Sequence, residues 1–196
     1  MPKIVNHEQY RKELLYKCFD LFAEKGYASI TTRQIAKELG VSTGTLYYYF
    51  PRKEDMFEQL VEETSQEYLQ IFANELKDGQ TLSERFEALA NFALRYEDRL
   101  IKEICMMVDF CQQQGSNAIR ENQALRRIER QAKQSITEFF GICDPAVVDF
   151  IMTQVQGLML RRLSGDDVSI AEQIVLLGKM LMTYLEKSRP LQCCND

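Results

Sequence analysis

Apolar residues recur every three or four positions along almost the whole chain of 196 residues. This spacing places them on one face of an α-helix, and no stretch favours a β-strand. The pattern predicts an all-α protein. It predicts about nine helices, at about 7–25, 32–39, 43–49, 53–76, 82–96, 99–112, 117–140, 145–163 and 170–185.

The predicted helix boundaries coincide with residues that cap helices. Ser, Thr, Asp and Asn accept hydrogen bonds from the free amides of a first turn, and Gln or Glu three residues later completes a capping box. The predicted N-caps are Asn6, Thr31, Ser42, Thr81, Asp144 and Ser169, with Gln34 and Glu84 in the boxes. Gly26, Gly40 and Gly141 are predicted to end helices.

The composition is that of a globular protein, with 45% hydrophobic and 27% charged residues. No apolar run approaches the length of a membrane span, and the first residues lack the apolar core of a signal peptide. We therefore expect a cytoplasmic protein with no membrane partner.

Cysteine and histidine are too sparse for the usual zinc sites. The chain has six cysteines and one histidine, His7, and no C-x-x-C motif. We expect free thiols in a reducing cytosol, no metal and no cofactor. The pair Cys193-Cys194 leaves thiol oxidation open as an alternative mode of control.

The charge is unevenly distributed along the chain. Residues 1–53 contain nine Lys/Arg and five Asp/Glu, a net charge of +4, although the whole chain carries −5. The remainder, with 15 basic and 24 acidic residues, carries −9. A basic N-terminal region on an acidic body favours a polyanionic partner for that region.

The second and third predicted helices form a helix-turn-helix. The segment TTRQIAKELG is followed by the short turn Gly40-Val41-Ser42 and by TGTLYYYF. Leu46 can face inward, which leaves Thr43, Gly44, Thr45 and Tyr47 on the outer face. Four consecutive aromatics cannot all be buried on a short helix. We expect Phe50 and one tyrosine to be buried and the other hydroxyls to meet phosphate oxygens.

The same residues resemble the DNA-binding domain of the tetracycline-repressor (TetR-type) family. The family pattern T-x-x-x-I-A-x-x-x-G-V-S-x-G-x-L-Y-x-[HY]-F-x-x-K is matched in register by Thr31, Ile35, Ala36, Gly40, Val41, Ser42, Gly44, Leu46, Tyr47, Tyr49, Phe50 and Lys53. The resemblance covers the first quarter to third of the chain. One departure is Arg52, where the family often has a serine cap; either a weaker cap or an added phosphate contact would follow.

The resemblance implies a helix-turn-helix domain over 1–53 and an effector-binding and dimerisation domain over 54–196. Together with the outer face of the third helix, it predicts contacts with double-stranded operator DNA by Thr32, Arg33, Thr43, Gly44, Thr45, Tyr47, Tyr48, Tyr49 and Lys53. Tyr49 and Lys53 would hold phosphates.

The last two helices have broad apolar faces, and the resemblance implies that they pair two chains into a homodimer. The predicted interface residues are Val148, Ile151, Met152, Val155, Leu158, Met159, Ile174, Leu177, Leu181 and Tyr184. An effector pocket for an unknown small molecule is predicted at Phe86, Phe92, Tyr96, Met106, Met107, Phe110, Phe139 and Met159. The same aromatics and methionines could instead form an ordinary core.

Three classes of function follow from these features. The leading one is a ligand-responsive transcriptional regulator, most simply a repressor. A DNA-binding dimer without a pocket, controlled by a protein partner or by thiol oxidation, is the alternative. An enzyme is disfavoured because the chain offers no catalytic triad, phosphate loop or carboxylate constellation.

Overall fold

The computed structural model describes residues 6–75 and 80–187. Within these two ranges the chain forms ten α-helices and no β-strand, which confirms the all-α prediction. The helices are α1 (His7–Lys25), α2 (Thr32–Leu39), α3 (Thr43–Tyr49), α4 (Lys53–Glu75), α5 (Leu82–Arg95), α6 (Glu97–Gln114), α7 (Ser116–Glu121), α8 (Gln123–Phe140), α9 (Pro145–Leu163) and α10 (Ile170–Lys187). The predicted end of the fourth helix at residue 76 and the pair Cys193-Cys194 lie outside the described residues.

One predicted helix is two helices in the structure. The segment expected as a continuous helix over 117–140 breaks at Asn122, whose backbone is extended with φ −67° and ψ 109°. The Asn122 Oδ1 accepts a hydrogen bond from the Leu125 amide at 3.0 Å, and its Nδ2 donates to Glu58 Oε1 at 2.6 Å. Asn122 therefore ends α7 and caps α8, so the prediction of one helix was wrong.

The chain folds into two compact units, and each combines two separate segments. The first comprises Met1–Glu67 and Cys105–Ile128, and the second comprises Tyr68–Ile104 and Glu129–Asp196. The domain boundary implied by the family resemblance lies instead at residue 53. The boundaries between the units fall inside α4, α6 and α8.

The first unit has an aromatic core that supports the three N-terminal helices. The Phe57 ring stacks on that of Phe110 with centroids 4.1 Å apart, and Tyr27 lies edge-on to both. Leu46 and Phe50 from the α3 region join this core with no exposed surface. Residues of α6 thus contribute to the same core as the helix-turn-helix.

The second unit is built on the close packing of α10 against α5. Gly178 of α10 is buried, and a Cβ atom at this position would lie 2.6 Å from Cγ of Phe86. The absence of a side chain therefore allows the two helices to approach each other. The surrounding core contains Phe139, Phe140 and Ile151.

Candidate DNA-binding surface

Three capping interactions fix the helix-turn-helix. Thr31 and Gln34 form the predicted capping box at the start of α2. Gly40 then takes a left-handed conformation, with φ 66°, that few other residues adopt, and its amide closes the last turn. The Ser42 hydroxyl accepts a hydrogen bond from the Thr45 amide at 3.0 Å and starts α3. These local signals place α3 directly after the three-residue turn Gly40-Val41-Ser42.

One face of α3 is buried and the opposite face is exposed. Leu46 and Phe50, four residues apart, are both fully buried. Tyr47 and Tyr48 are 51% and 71% exposed. The exposed face also includes Thr43 and Gly44, whereas Thr45 is half-buried and its hydroxyl is hydrogen-bonded to that of Ser42 at 2.9 Å. The expectation that Phe50 faces inward while other aromatics face outward is confirmed.

Tyr49 is the partly buried tyrosine of the row. Its ring lies edge-on to Tyr10 of α1, with centroids 5.7 Å apart. Its hydroxyl is hydrogen-bonded to Nδ1 of His7 at 2.8 Å. Desolvation raises the pKa of Tyr49, which keeps the hydroxyl protonated and able to donate. Sequence analysis left His7 without a role, because the two residues are 42 positions apart.

Lys53 is engaged within the protomer. Its Nζ donates to the carbonyl oxygens of Tyr27 and Ile30 at 2.8 and 3.1 Å. The same ammonium lies 4.2 Å from the centre of the Tyr27 ring, and burial lowers its pKa. Lys53 therefore ties the start of α4 to the loop between α1 and α2, a role that the sequence analysis did not predict.

The same loop is held from α6. The Asp109 carboxylate accepts a hydrogen bond from the Ala28 amide at 2.9 Å. The two residues are 81 positions apart in the chain, and no sequence motif predicts this contact. Arg33, at the start of α2, remains exposed, while Thr32 is half-buried.

The departure at Arg52 leaves the start of α4 well capped. The Arg52 amide donates to Asp55 Oδ2 at 3.0 Å, and the Arg52 guanidinium forms an ion pair with the same carboxylate. The side-chain hydrogen bond from the Arg52 guanidinium is the main cause that lowers the pKa of Asp55. The Asp55 side chain thus supplies the reverse half of a capping box that a serine would otherwise begin.

The residues predicted to line an effector pocket include members of both units. Met106, Met107 and Phe110 belong to the core of the first unit. Phe86, Phe139 and Met159 belong to the core of the second unit. Phe92 and Tyr96 form an aromatic cluster with Tyr68 in the second unit, with ring centroids 4.8 to 6.0 Å apart. The structure thus places six of the eight predicted residues in the cores of the two units and the other two in this cluster.

Most residues predicted for the dimer interface are buried inside the protomer. Val148, Ile151, Leu158, Met159, Ile174, Leu177 and Leu181 are at most 7% exposed. Met152 and Val155 are half-buried, and Tyr184 is 49% exposed. A side chain that is already buried has little surface left to cover with a second chain.

A different set of apolar side chains is exposed on α9 and α10. Leu176, Met180 and Tyr184 recur every four residues along α10, and they are 48%, 59% and 49% exposed. On α9 the exposed apolar residues are Phe150, Leu160 and Leu163. Large apolar residues exposed at helical spacing are typical of an interaction surface.

The four described cysteines differ in their oxidation state. Cys18, Cys105 and Cys111 carry free thiols, whereas Cys143 is disulfide-bonded, so the expectation of free thiols was wrong for Cys143. Burial raises the pKa of Cys18 to about 12 and also raises that of Cys111. Across residues 6–75 and 80–187, no three Cys, His, Asp or Glu side chains form a group that could hold a metal ion.

None of the described helices combines the length and apolar character needed to span a membrane.

The fold and the exposed face of α3 define a helix-turn-helix DNA-binding protein. Residues 14–60 match the family described as "Bacterial regulatory proteins, tetR family". The nucleoid occlusion factor SlmA of Haemophilus ducreyi is 32% identical over 177 residues, which cover 89% of this chain and 79% of that protein.

Two solved structures share the fold. A tetR-family transcriptional regulator from Streptomyces coelicolor has a TM-score of 0.70 at 19% identity, with 93% of this chain and 86% of that chain covered. A transcriptional regulator from Saccharomonospora viridis, solved in complex with choline, has a TM-score of 0.66 at 20% identity, with 91% and 97% covered.

The chain belongs to the TetR family of bacterial transcriptional regulators. Members of this family bind DNA as dimers and are not enzymes, in agreement with the sequence analysis.

Proposed function

We propose that the chain is a small-molecule-responsive transcriptional repressor that binds an operator as a homodimer. The observation that carries the proposal is the exposed outer face of α3, where Thr43, Gly44, Tyr47 and Tyr48 stand free of the core. In a helix-turn-helix the second helix enters the major groove by its N-terminal residues. Threonine offers a methyl group and a hydroxyl to base edges, and tyrosine hydroxyls suit phosphate oxygens.

The roles within this surface follow from exposure. Thr43 and Gly44 begin α3 and would meet base edges, with Thr45 beside them. Tyr47, Tyr48 and Tyr49 would donate to phosphates. Arg33 and Thr32 at the start of α2 would contact the backbone or an adjacent base. Lys53 would act indirectly by fixing the loop between α1 and α2, since its ammonium is already bonded to two carbonyls.

We place the dimer interface on the exposed apolar residues of α9 and α10 instead of on the buried ones. A dimer would present two α3 helices to successive major grooves, about 34 Å apart along the duplex. An effector that favours a different spacing would release the operator, and such coupling is typically worth about 1–3 kcal/mol.

The aromatic cluster of Tyr68, Phe92 and Tyr96 is the part of the predicted pocket that we retain as an effector contact. Three rings in contact, with the Tyr68 hydroxyl bonded to Glu103 at 3.0 Å, combine an apolar surface with a carboxylate. The choline complex of the Saccharomonospora viridis regulator supports a small-molecule ligand on this fold. The thiol-controlled alternative gains no support from Cys18 and Cys111, because desolvation raises the pKa of both thiols.

The test of DNA recognition is a binding series on a fluorescent duplex selected from random DNA by the wild-type protein. Tyr47→Phe removes one exposed hydroxyl and is expected to weaken binding about ten- to a hundredfold, the effect of losing one hydrogen bond to a charged group. Tyr16→Phe is the matched control, because Tyr16 is a 42% exposed tyrosine on α1, outside the proposed surface. Equal affinities for both variants and wild type would contradict the assignment.

The test of effector binding is a thermal-shift screen of small molecules followed by gel shifts with each hit. A ligand that raises the unfolding temperature and releases the selected duplex supports the proposal, and Phe92→Ala should abolish that shift. Stabilising ligands that leave the DNA complex intact would favour the alternative of a DNA-binding dimer controlled by a protein partner.

A second candidate function comes from the relative in Haemophilus ducreyi, whose name is nucleoid occlusion factor and which aligns over 89% of this chain. A factor that acts on the nucleoid as a whole needs sites spread over the chromosome. A repressor needs few sites, each overlapping a promoter. Chromatin immunoprecipitation of the chain distinguishes the two by the number and position of its binding sites.

A further inference from the structure

His7 is the first residue of α1, and it lies beside the last turn of α3. Its imidazole centre is 6.1 Å from the Tyr48 ring and 6.2 Å from the Tyr49 ring. Its Nδ1 is 2.8 Å from the Tyr49 hydroxyl oxygen. Both His7 and Tyr48 are exposed, so the pair borders the surface proposed to meet DNA.

The direction of the hydrogen bond between His7 and Tyr49 depends on whether Nδ1 of His7 carries a proton. A neutral imidazole with no proton on Nδ1 accepts a hydrogen bond from the Tyr49 hydroxyl, and the hydroxyl proton then points towards His7 and away from solvent. An imidazole protonated at Nδ1 donates instead, and the Tyr49 hydroxyl proton is then free for another acceptor. A phosphate oxygen can accept that proton only in the second arrangement.

Among the described residues, the charged groups that follow His7 on α1 are already paired. On α1, Glu8 forms an ion pair with Arg11. Arg11 and Lys12 both form ion pairs with Glu63 of α4. The part of α3 that faces His7 offers only the tyrosines Tyr48 and Tyr49, and none of the described residues forms an ion pair with His7. Protonation of His7 therefore adds a positive charge that can attract a DNA phosphate.

We propose that His7 is a positioning residue for DNA, which donates from Nδ1 to Tyr49 so that the tyrosine hydroxyl donates to a backbone phosphate. The proposal rests on the proposed phosphate contact of Tyr49. The neutral imidazole has a tautomer with a bare Nδ1, whereas the protonated imidazole always carries a proton there. Protonation of His7 therefore favours the donating arrangement and strengthens DNA binding. Histidine changes charge between about pH 5 and 8, so DNA affinity rises as the pH falls through that range.

The composition of the chain makes this coupling measurable, because His7 is the only histidine among its 196 residues. The experiment measures the affinity for the selected fluorescent duplex at several values between about pH 5.5 and 8. Wild type is expected to bind about three- to tenfold more tightly at the acidic end, the scale set by one proton per protomer. His7→Gln keeps a donor but cannot change charge, so its affinity should not vary with pH.

Tyr49→Phe keeps the aromatic packing and removes the hydroxyl. It should weaken binding throughout the pH range and remove most of the pH dependence. In the double variant, His7→Gln should have no further effect, because the hydroxyl through which it acts is absent. Equal unfolding temperatures for all variants would show that the protomer is intact.

The outcomes distinguish the positioning role of His7 from the phosphate contact of Tyr49 on which it rests. If Tyr49→Phe binds as tightly as wild type, the phosphate contact of Tyr49 is wrong. If Tyr49→Phe weakens binding but wild type and His7→Gln have the same pH profile, the contact stands and the role of His7 is wrong. If pH dependence persists in full in Tyr49→Phe, His7 acts directly on DNA and the relay is overturned.

Discussion

Lys53 shows how a residue that matches a family pattern can act through packing. Its ammonium donates hydrogen bonds to the carbonyl oxygens of Tyr27 and Ile30, which lie in the loop between α1 and α2. Lys53→Met keeps the length of the side chain and leaves both carbonyls without this partner. We expect a loss of about 1–3 kcal/mol in the free energy of unfolding, measured by urea denaturation.

The matched control is Lys37→Met, because Lys37 is exposed on α2 and should change stability by less than about 0.5 kcal/mol. A tenfold loss of DNA affinity in Lys53→Met at unchanged stability would restore the phosphate role that the sequence analysis assigned to this lysine.

The sequence was most informative about residues whose partners lie within one helical turn. Ser42 caps α3 and Phe50 faces inward as expected, because both properties depend on spacings of three or four residues. The bonds from Lys53 to Tyr27 and from His7 to Tyr49 could not be predicted. They join residues 26 and 42 positions apart, and only the packing of α1, α3 and α4 brings them together.

At the scale of elements, Gly178 sets the distance between α5 and α10. Gly178→Ala would improve helix propensity by about 1 kcal/mol, but its methyl group would meet the Phe86 ring at 2.6 Å. Because the clash involves a fully buried ring, we expect overpacking to prevail, with a net loss of about 1–3 kcal/mol in unfolding experiments.

The companion variant is Phe86→Ala, which removes the ring atoms that the added methyl group would meet. In that background Gly178→Ala should destabilise the fold less than it does in wild type. If the effects of the two substitutions on stability are strictly additive, the contact between residues 86 and 178 does not limit how closely α5 and α10 pack.

The break between α7 and α8 is the element that sequence periodicity missed. Asparagine favours helix caps, but its tertiary bond to Glu58 is invisible in the sequence. Asn122→Ala removes both the cap of α8 and this bond, and should cost about 1–2 kcal/mol in thermal or urea unfolding. Asn122→Ser keeps a capping hydroxyl and should recover part of the loss. Equal stability of both variants would show that the cap contributes nothing.

At the scale of the whole molecule, periodicity could not separate core residues from interface residues on the last two helices. Both helices are apolar on more than one face, and the sequence analysis assigned the interface mainly to residues that the structure buries. The exposed positions Leu176, Met180 and Tyr184 are also spaced four apart, offset from the buried row Ile174, Leu177 and Leu181. Only the packing of α10 on α5 shows which row the protomer itself covers.

Met180→Glu tests the pairing that this offset implies. Met180 is 59% exposed, so a carboxylate there costs the isolated protomer little. Inside an apolar interface the same carboxylate would be desolvated without a partner, a penalty of several kcal/mol. We therefore expect a folded monomer in sedimentation experiments, with an unchanged circular dichroism spectrum. Its DNA affinity should fall by at least tenfold, because one helix-turn-helix reaches only half a site.

Leu94→Glu provides the comparison. Leu94 is a 47% exposed leucine on α5, outside the apolar row of α10, so the same change of chemistry should leave a dimer with wild-type affinity. A dimeric Met180→Glu protein would place the interface elsewhere, whereas monomers from both variants would mean that any added carboxylate disrupts pairing. A monomer from Met180→Glu and a dimer from Leu94→Glu would together place the dimer interface on the exposed row of α10. The position of that interface in turn sets the spacing at which the two α3 helices meet the duplex.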